Sequence, residues 1–101
     1  MTQNFDISKR IEVQKIRQQI DQLDDEMLSL ILKRRDLAME LARLKTEVND
    51  LMDHEQRVKE ILSRIEHKAN EMGMEGAEVR VLWKALIAYM IKEQTAKYTF
   101  F

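Results

Sequence analysis

From Ile16 to Leu51 the apolar residues fall in an unbroken four-three spacing: Ile16, Ile20, Leu23, Met27, Leu30, Arg34, Leu37, Leu41, Leu44, Val48 and Leu51. One member of that stripe, Arg34, is charged. The spacing predicts a single helix that begins near Asp6 to Lys9 and runs to about Asn49, because neither glycine nor proline interrupts it. At about 1.5 Å per residue this helix is roughly 60 Å long, more than a single small globule can cover. A rod of this kind needs a second chain, and its 3.5-residue period suits near-parallel or antiparallel packing with a slight left-handed crossing.

The pattern weakens between Asn49 and Asp53, where Asp53-His54-Glu55-Gln56 has the form of a capping box. A second helix is expected from His54, with Val58, Ile61, Leu62, Ile65, Ala69 and Met72 on one side and Gly73 as its left-handed C-terminal residue. After a turn over Gly73 to Gly76, a third helix carries Val79, Leu82, Trp83, Leu86, Ile87, Met90, Ile91 and Gln94 on its apolar side and ends near Tyr98. The expected fold is therefore all-α, a three-helix protomer in one helical domain over residues 9–98. A flexible N-terminus is expected over 1–8 and a short tail over 99–101.

Composition narrows the function classes. With 101 residues, 45% hydrophobic and 35% charged, the chain has a marginal core for a monomer, which again points to an oligomer. A net charge of -1 provides no broad positive field for nucleic acid. Cysteine is absent, so disulfides, thiolate catalysis and zinc-thiolate sites are excluded, and His54 and His67 have no metal-ligand partners at useful spacing. No metal or cofactor is expected. The first ten residues lack a signal-peptide core and no run approaches the roughly 20 apolar residues of a membrane span. The expectation is a cytoplasmic protein with no membrane or nucleic-acid partner.

The polar residues on apolar faces are the candidates for chemistry. An ionised guanidinium at Arg34 is costly on a covered helix face unless an anion meets it, although a seam arginine can also simply set register. Lys45 lies eleven residues further on, about 20° off the same face and roughly 16 Å along the axis. Arg17 lies roughly 25 Å before Arg34 and 42 Å before Lys45, too far for one small ligand to touch both Arg17 and Lys45 of one chain. In an antiparallel dimer, a twofold axis brings Arg17 of one protomer beside Arg34 and Lys45 of the other. Arg57, in the first turn of the second helix, is poorly placed for the helix dipole. Gln94 is a second polar residue on an apolar face; a core amide satisfied by its neighbours is the alternative reading. The methionines read as gap-filling core residues.

These residues occur in ordered motifs. Arg17-x-x-Ile20-Asp21-x-Leu23-Asp24 is followed by Leu28-x-Leu30-Ile31-x-x-Arg34-x-x-Leu37-Ala38 and Lys45; Arg57 comes twelve residues later, and Ile87-x-x-Met90-Ile91-x-x-Gln94 closes the set. From about Ile16 to Tyr98 the chain resembles the all-helical (AroQ-class) chorismate mutases. The resemblance implies an intertwined homodimer of three-helix protomers with two sites, each built from both chains, that convert chorismate to prephenate without a cofactor. It also implies residue roles: Arg17 of the partner chain, Arg34 and Arg57 hold the two carboxylates of the substrate, Lys45 and Gln94 face the ether oxygen, and Leu41, Ile87 and Ile91 form apolar walls.

Some positions depart from that pattern. Val58 stands where these enzymes usually have a glutamate, Met90 where a serine is frequent, His54 where an aspartate is common, and the segment from Thr46 to Asp53 lacks the usual glycine and proline. The Arg57-Val58 pair and the Tyr89-Met90-Ile91-Lys92-Glu93-Gln94 stretch are also similar to isochorismate-pyruvate lyases and aminodeoxychorismate mutases of the same fold. The reading from another class is a non-catalytic helical dimer or regulatory module. A structural seam alone has no need for Arg34, Lys45 and Gln94 together.

Overall fold

The computed structural model describes residues 2–47 and 54–98. It consists of three helices, α1 (Thr2–Glu47), α2 (His54–Glu71) and α3 (Gly76–Tyr98). The chain divides into two units, Met1–Arg35 and Asp36–Phe101. The second helix starts at the expected residue; the Asp53 of the expected capping box and the aromatic tail from Thr99 lie outside the described residues.

In the first unit the backbone is helical from Thr2, ahead of the start expected near Asp6 to Lys9. The reason is compositional: the early residues include no proline or glycine, and local pairs support them. Lys9 lies 3.6 Å from Glu12 and 5.5 Å from the centre of the Phe5 ring. Every described side chain from Asn4 to Leu30 is exposed, including Ile16, Ile20, Leu23, Met27 and Leu30 of the stripe. Towards the end of the unit Ile31, Arg34 and Arg35 are half-buried.

The second unit holds the core. Helices α2 and α3 pack against each other, with Ile61, Leu62 and Ile87 buried and Val58, Ile65, Trp83 and Ile91 packed around them. Burying an aliphatic side chain of this size contributes about 1.5–3 kcal/mol, so this cluster dominates the unit's stability. An ion pair at 3.0 Å between Arg80 and Glu66 ties the two helices nearer the turn. Leu82, expected on the covered side of α3, is exposed instead. The face turned to α2 follows Val79, Trp83, Leu86, Ile87 and Met90, and at 100° per residue Leu82 falls about 80° off its centre.

The connection between α2 and α3 is defined by backbone chemistry. Gly73 has φ +81°, and Met74 N–H donates to the Ala69 carbonyl at 2.9 Å while Gly73 N–H donates to the Asn70 carbonyl at 3.1 Å. This is a Schellman closure, with glycine at the left-handed position as the sequence predicts. Asn70 also folds forward, and its Oδ1 accepts from the Gly76 N–H at 2.9 Å, satisfying a donor that the start of α3 leaves without a helical partner. Gly76 is buried, and a Cβ there would meet the Asn70 side chain and approach the Glu66 carbonyl oxygen to 2.5 Å.

Gly76→Ala is therefore expected to destabilise the protein by about 1–3 kcal/mol through overpacking against backbone. A urea midpoint equal to that of the parent would show that the entry to α3 shifts without strain.

Candidate active site

Polar side chains that could handle an anion are held at defined places on the three helices. In the second unit, the last turns of α1 present Ala38, Met39, Ala42 and Lys45 as a half-buried strip, while Leu41 remains exposed. The side chains at Ala38 and Ala42 are small and leave the backbone of this part of α1 accessible to a long side chain. Helix α3 reaches it through Gln94, whose Nε2 donates to the backbone carbonyl of Ala38 at 3.2 Å across 56 residues of sequence. The carboxamide carries two N–H donors and a carbonyl oxygen. One N–H is engaged; no described residue is recorded as bonding the rest of the group.

Lys45 ends α1 and suits the negative end of the helix dipole. It is half-buried, with no ion-pair partner recorded among the described residues. A turn earlier, Glu40 and Arg43 are hydrogen-bonded, Arg43 Nε donating at 3.2 Å. This hydrogen bond holds the Glu40 carboxyl below its ordinary value, with the Arg43 charge adding to the effect. The pair is intact above the usual carboxylate range and is lost as the pH falls through that lowered value. Both side chains are exposed, so the pair contributes little to stability.

At the start of α2, Arg57 is exposed and lies 3.9 Å from Glu60, a loose pair that leaves the guanidinium accessible. Its neighbour Val58 is half-buried and packs on the Ile61, Leu62 and Ile87 cluster. Ile91 is half-buried against the same cluster, whereas Ile87 and Met90 are buried, at 7% and 2% exposure. Ile87 therefore serves the α2–α3 core first. In the first unit, Arg17 is exposed with no partner recorded among the described residues, and Arg34 is half-buried and partnered. The second unit thus holds Lys45, Arg57, Val58, Ile87, Met90, Ile91 and Gln94, and the first holds Arg17 and Arg34.

Of the two histidines, His54 is exposed one turn before Arg57, and His67 bonds to Glu71 at 3.0 Å. Among the described residues no group of three or more His, Cys, Asp or Glu could hold a metal ion. Among them, too, no helix is long and apolar enough to cross a membrane. Within the second unit the groups are cationic and amide hydrogen-bond donors, a chemistry suited to anions and to charge developing on an oxygen. The role of Ala38 was not apparent from sequence, since a backbone carbonyl carries no residue signature.

The family model for chorismate mutase type II matches residues 16–95. The chain belongs to that family. No curated protein and no solved structure matches it. The three-helix, all-α architecture agrees with the chorismate mutase fold, and membership identifies an enzyme of the isomerase class. The matched span includes Arg17, Arg34, Lys45, Arg57 and Gln94, and it leaves the first turns of α1, residues 2–15, outside the chorismate mutase match.

Replacing Gln94 by leucine keeps the volume but removes the donor to the Ala38 carbonyl, which retains its helical bond. A loss of about 1 kcal/mol in unfolding free energy is expected. An unchanged thermal midpoint would mean that the carboxamide adds nothing to the packing of α3.

Proposed function

We propose that this chain catalyses the 3,3-sigmatropic rearrangement of chorismate to prephenate at two sites of an antiparallel homodimer, each site drawing residues from both chains. The observation that carries the reading is the Gln94–Ala38 bond, which anchors a carboxamide to the helix whose last turn holds half-buried Lys45, for which no ion-pair partner is recorded among the described residues.

The dimer follows from the stripe on α1. Its exposed Ile16, Ile20, Leu23, Met27 and Leu30 would each gain about 1.5–3 kcal/mol on full burial, a strong drive to associate. In an antiparallel pair, Met27 packs level with the partner's Leu30 and Ile16 level with the partner's Leu41. That alignment sets Glu26 against the partner's Lys33, twice by symmetry, and brings Arg17 between the partner's Ala38 and Lys45. Self-pairing through one surface patch closes the assembly at two chains.

The reaction is unimolecular and needs neither nucleophile nor proton transfer. Arg34, Arg57 and the partner's Arg17 hold the two carboxylates and so fix the folded conformer in which the bond-forming carbons approach. Lys45 and the remaining Gln94 donor face the ether oxygen, which gains electron density as its bond to the ring breaks. Leu41 and Ile91 supply apolar walls, with Ile87 and Met90 behind them and Val58 beside Arg57. The substrate is a small dicarboxylate, no cofactor is required, and the site of action is the cytoplasm.

One observation favours a second substrate. Val58 packs on the apolar cluster, so the position beside Arg57 has no carboxylate to accept a ring hydroxyl. Isochorismate carries its hydroxyl elsewhere on the ring, and its cleavage to salicylate and pyruvate is also pericyclic; the amino analogue of chorismate is a third candidate. The deciding experiment offers chorismate, isochorismate and aminodeoxychorismate to the purified protein, following chorismate absorbance and salicylate fluorescence. Turnover of none of them would overturn the catalytic reading in favour of a non-catalytic helical dimer.

With the preferred substrate, Arg34→Ala and Lys45→Ala are each expected to lower kcat/KM by at least about a hundredfold, since a group that stabilises developing charge typically contributes about 3 kcal/mol. Unchanged kinetics in either variant would remove that residue from the site. Mixing inactive Arg17→Ala chains with inactive Lys45→Ala chains is expected to restore one working site per heterodimer; no recovery after confirmed subunit exchange would rule out a shared site.

A further inference from the structure

Helix α1 extends well ahead of the family match, which starts at Ile16, and the added turns carry Arg10. Counting back from Lys45 in heptads gives Ala38, Ile31, Asp24, Arg17 and Arg10, all on one stripe of a single unbroken helix. The bond from Gln94 to the Ala38 carbonyl identifies the late part of this stripe as the one α3 attends. Its early part ends in two exposed arginines for which no ion-pair partner is recorded among the described residues. Acids are near Arg10, but Glu12 pairs with Lys9, and Lys9 also covers Phe5. Asp6, one turn before, forms no recorded ion pair with Arg10 among the described residues, so the Arg10 guanidinium is exposed within a helix that begins eight residues earlier rather than in a loose end.

We infer that Arg10 is a further anion-binding residue, serving the dicarboxylate site of the opposite protomer from just outside Arg17. This rests on the antiparallel, shared-site reading above. In the alignment that sets Arg17 between the partner's Ala38 and Lys45, Arg10 falls level with the partner's position 47, about 3 Å past its Lys45 and at the outer edge of the site. It stands about 10 Å beyond Arg17 along the axis. Two cations facing each other across a dimer are unfavourable until an anion lies between them, which makes the pair a selective receiver for a dianion. At that range the attraction acts mainly on capture and is screened at physiological salt, where the Debye length is about 8 Å.

The test is steady-state kinetics of the intact protein on its preferred substrate at low and high salt. Arg10→Ala is expected to raise KM about three- to fivefold at low ionic strength with kcat nearly constant, and the difference should vanish in about 1 M salt. Arg10→Lys should retain most of the effect, and Arg10→Glu should exceed the alanine variant. A second readout is independent of turnover: thermal stabilisation by malate, used as a simple dicarboxylate probe, should be smaller in Arg10→Ala than in the parent. Parent-like KM and parent-like salt dependence in Arg10→Ala, alongside an inactive Arg17→Ala, would overturn this inference and leave the shared site standing. If Arg17→Ala is also unaffected, the shared-site reading itself fails.

Discussion

A hydrogen bond between a side-chain amide and a helix carbonyl, Gln94 to Ala38, is the constraint on which the arrangement of chemical groups in the second unit turns. Helix carbonyls already accept from the residue four positions on, so a second donor binds only where a neighbouring helix comes close. Here the long Gln94 side chain makes the reach, with one N–H engaged and no bond recorded for the other among the described residues. The Asn70 cap and the Arg80–Glu66 pair hold α3 near its start, and the amide adds a directional contact near its end. Such a contact fixes where the amide dipole points.

The three helices were legible in the sequence because their periodicity and punctuation agree. Gly73 was readable as a stop because only glycine takes a φ of +81° at no steric cost, and the helix does end there. The start of α1 was less legible: its first residues have weak periodicity and no capping signal, and local pairs such as Lys9–Glu12 carry the helix back to Thr2. Leu82 shows the limit of apolarity as a guide to burial, since α3 has apolar residues on more than one side and only packing against α2 selects among them.

The polar positions were visible as charges and amides on apolar stripes. Their partners were not, for different physical reasons. The acceptor for Gln94 is backbone, which any residue supplies equally. The cap on α3 comes from Asn70, six positions ahead of the N–H it accepts from, a separation that no simple capping pattern covers. Val58 was readable as a departure from the chorismate mutase pattern; that it packs with Ile61, Leu62 and Ile87 required the fold.

The turn joining α2 to α3 has a mechanical consequence. With Gly73 in its left-handed state, Asn70 bonded to the Gly76 amide and Arg80 paired with Glu66, the hairpin is clamped at one end. Arg57 and Gln94 sit near the other, open end. A small angular error at a clamped joint grows in proportion to the length of the arm, so a disturbance at Gly76 is magnified at the far ends of α2 and α3, where Arg57 and Gln94 sit.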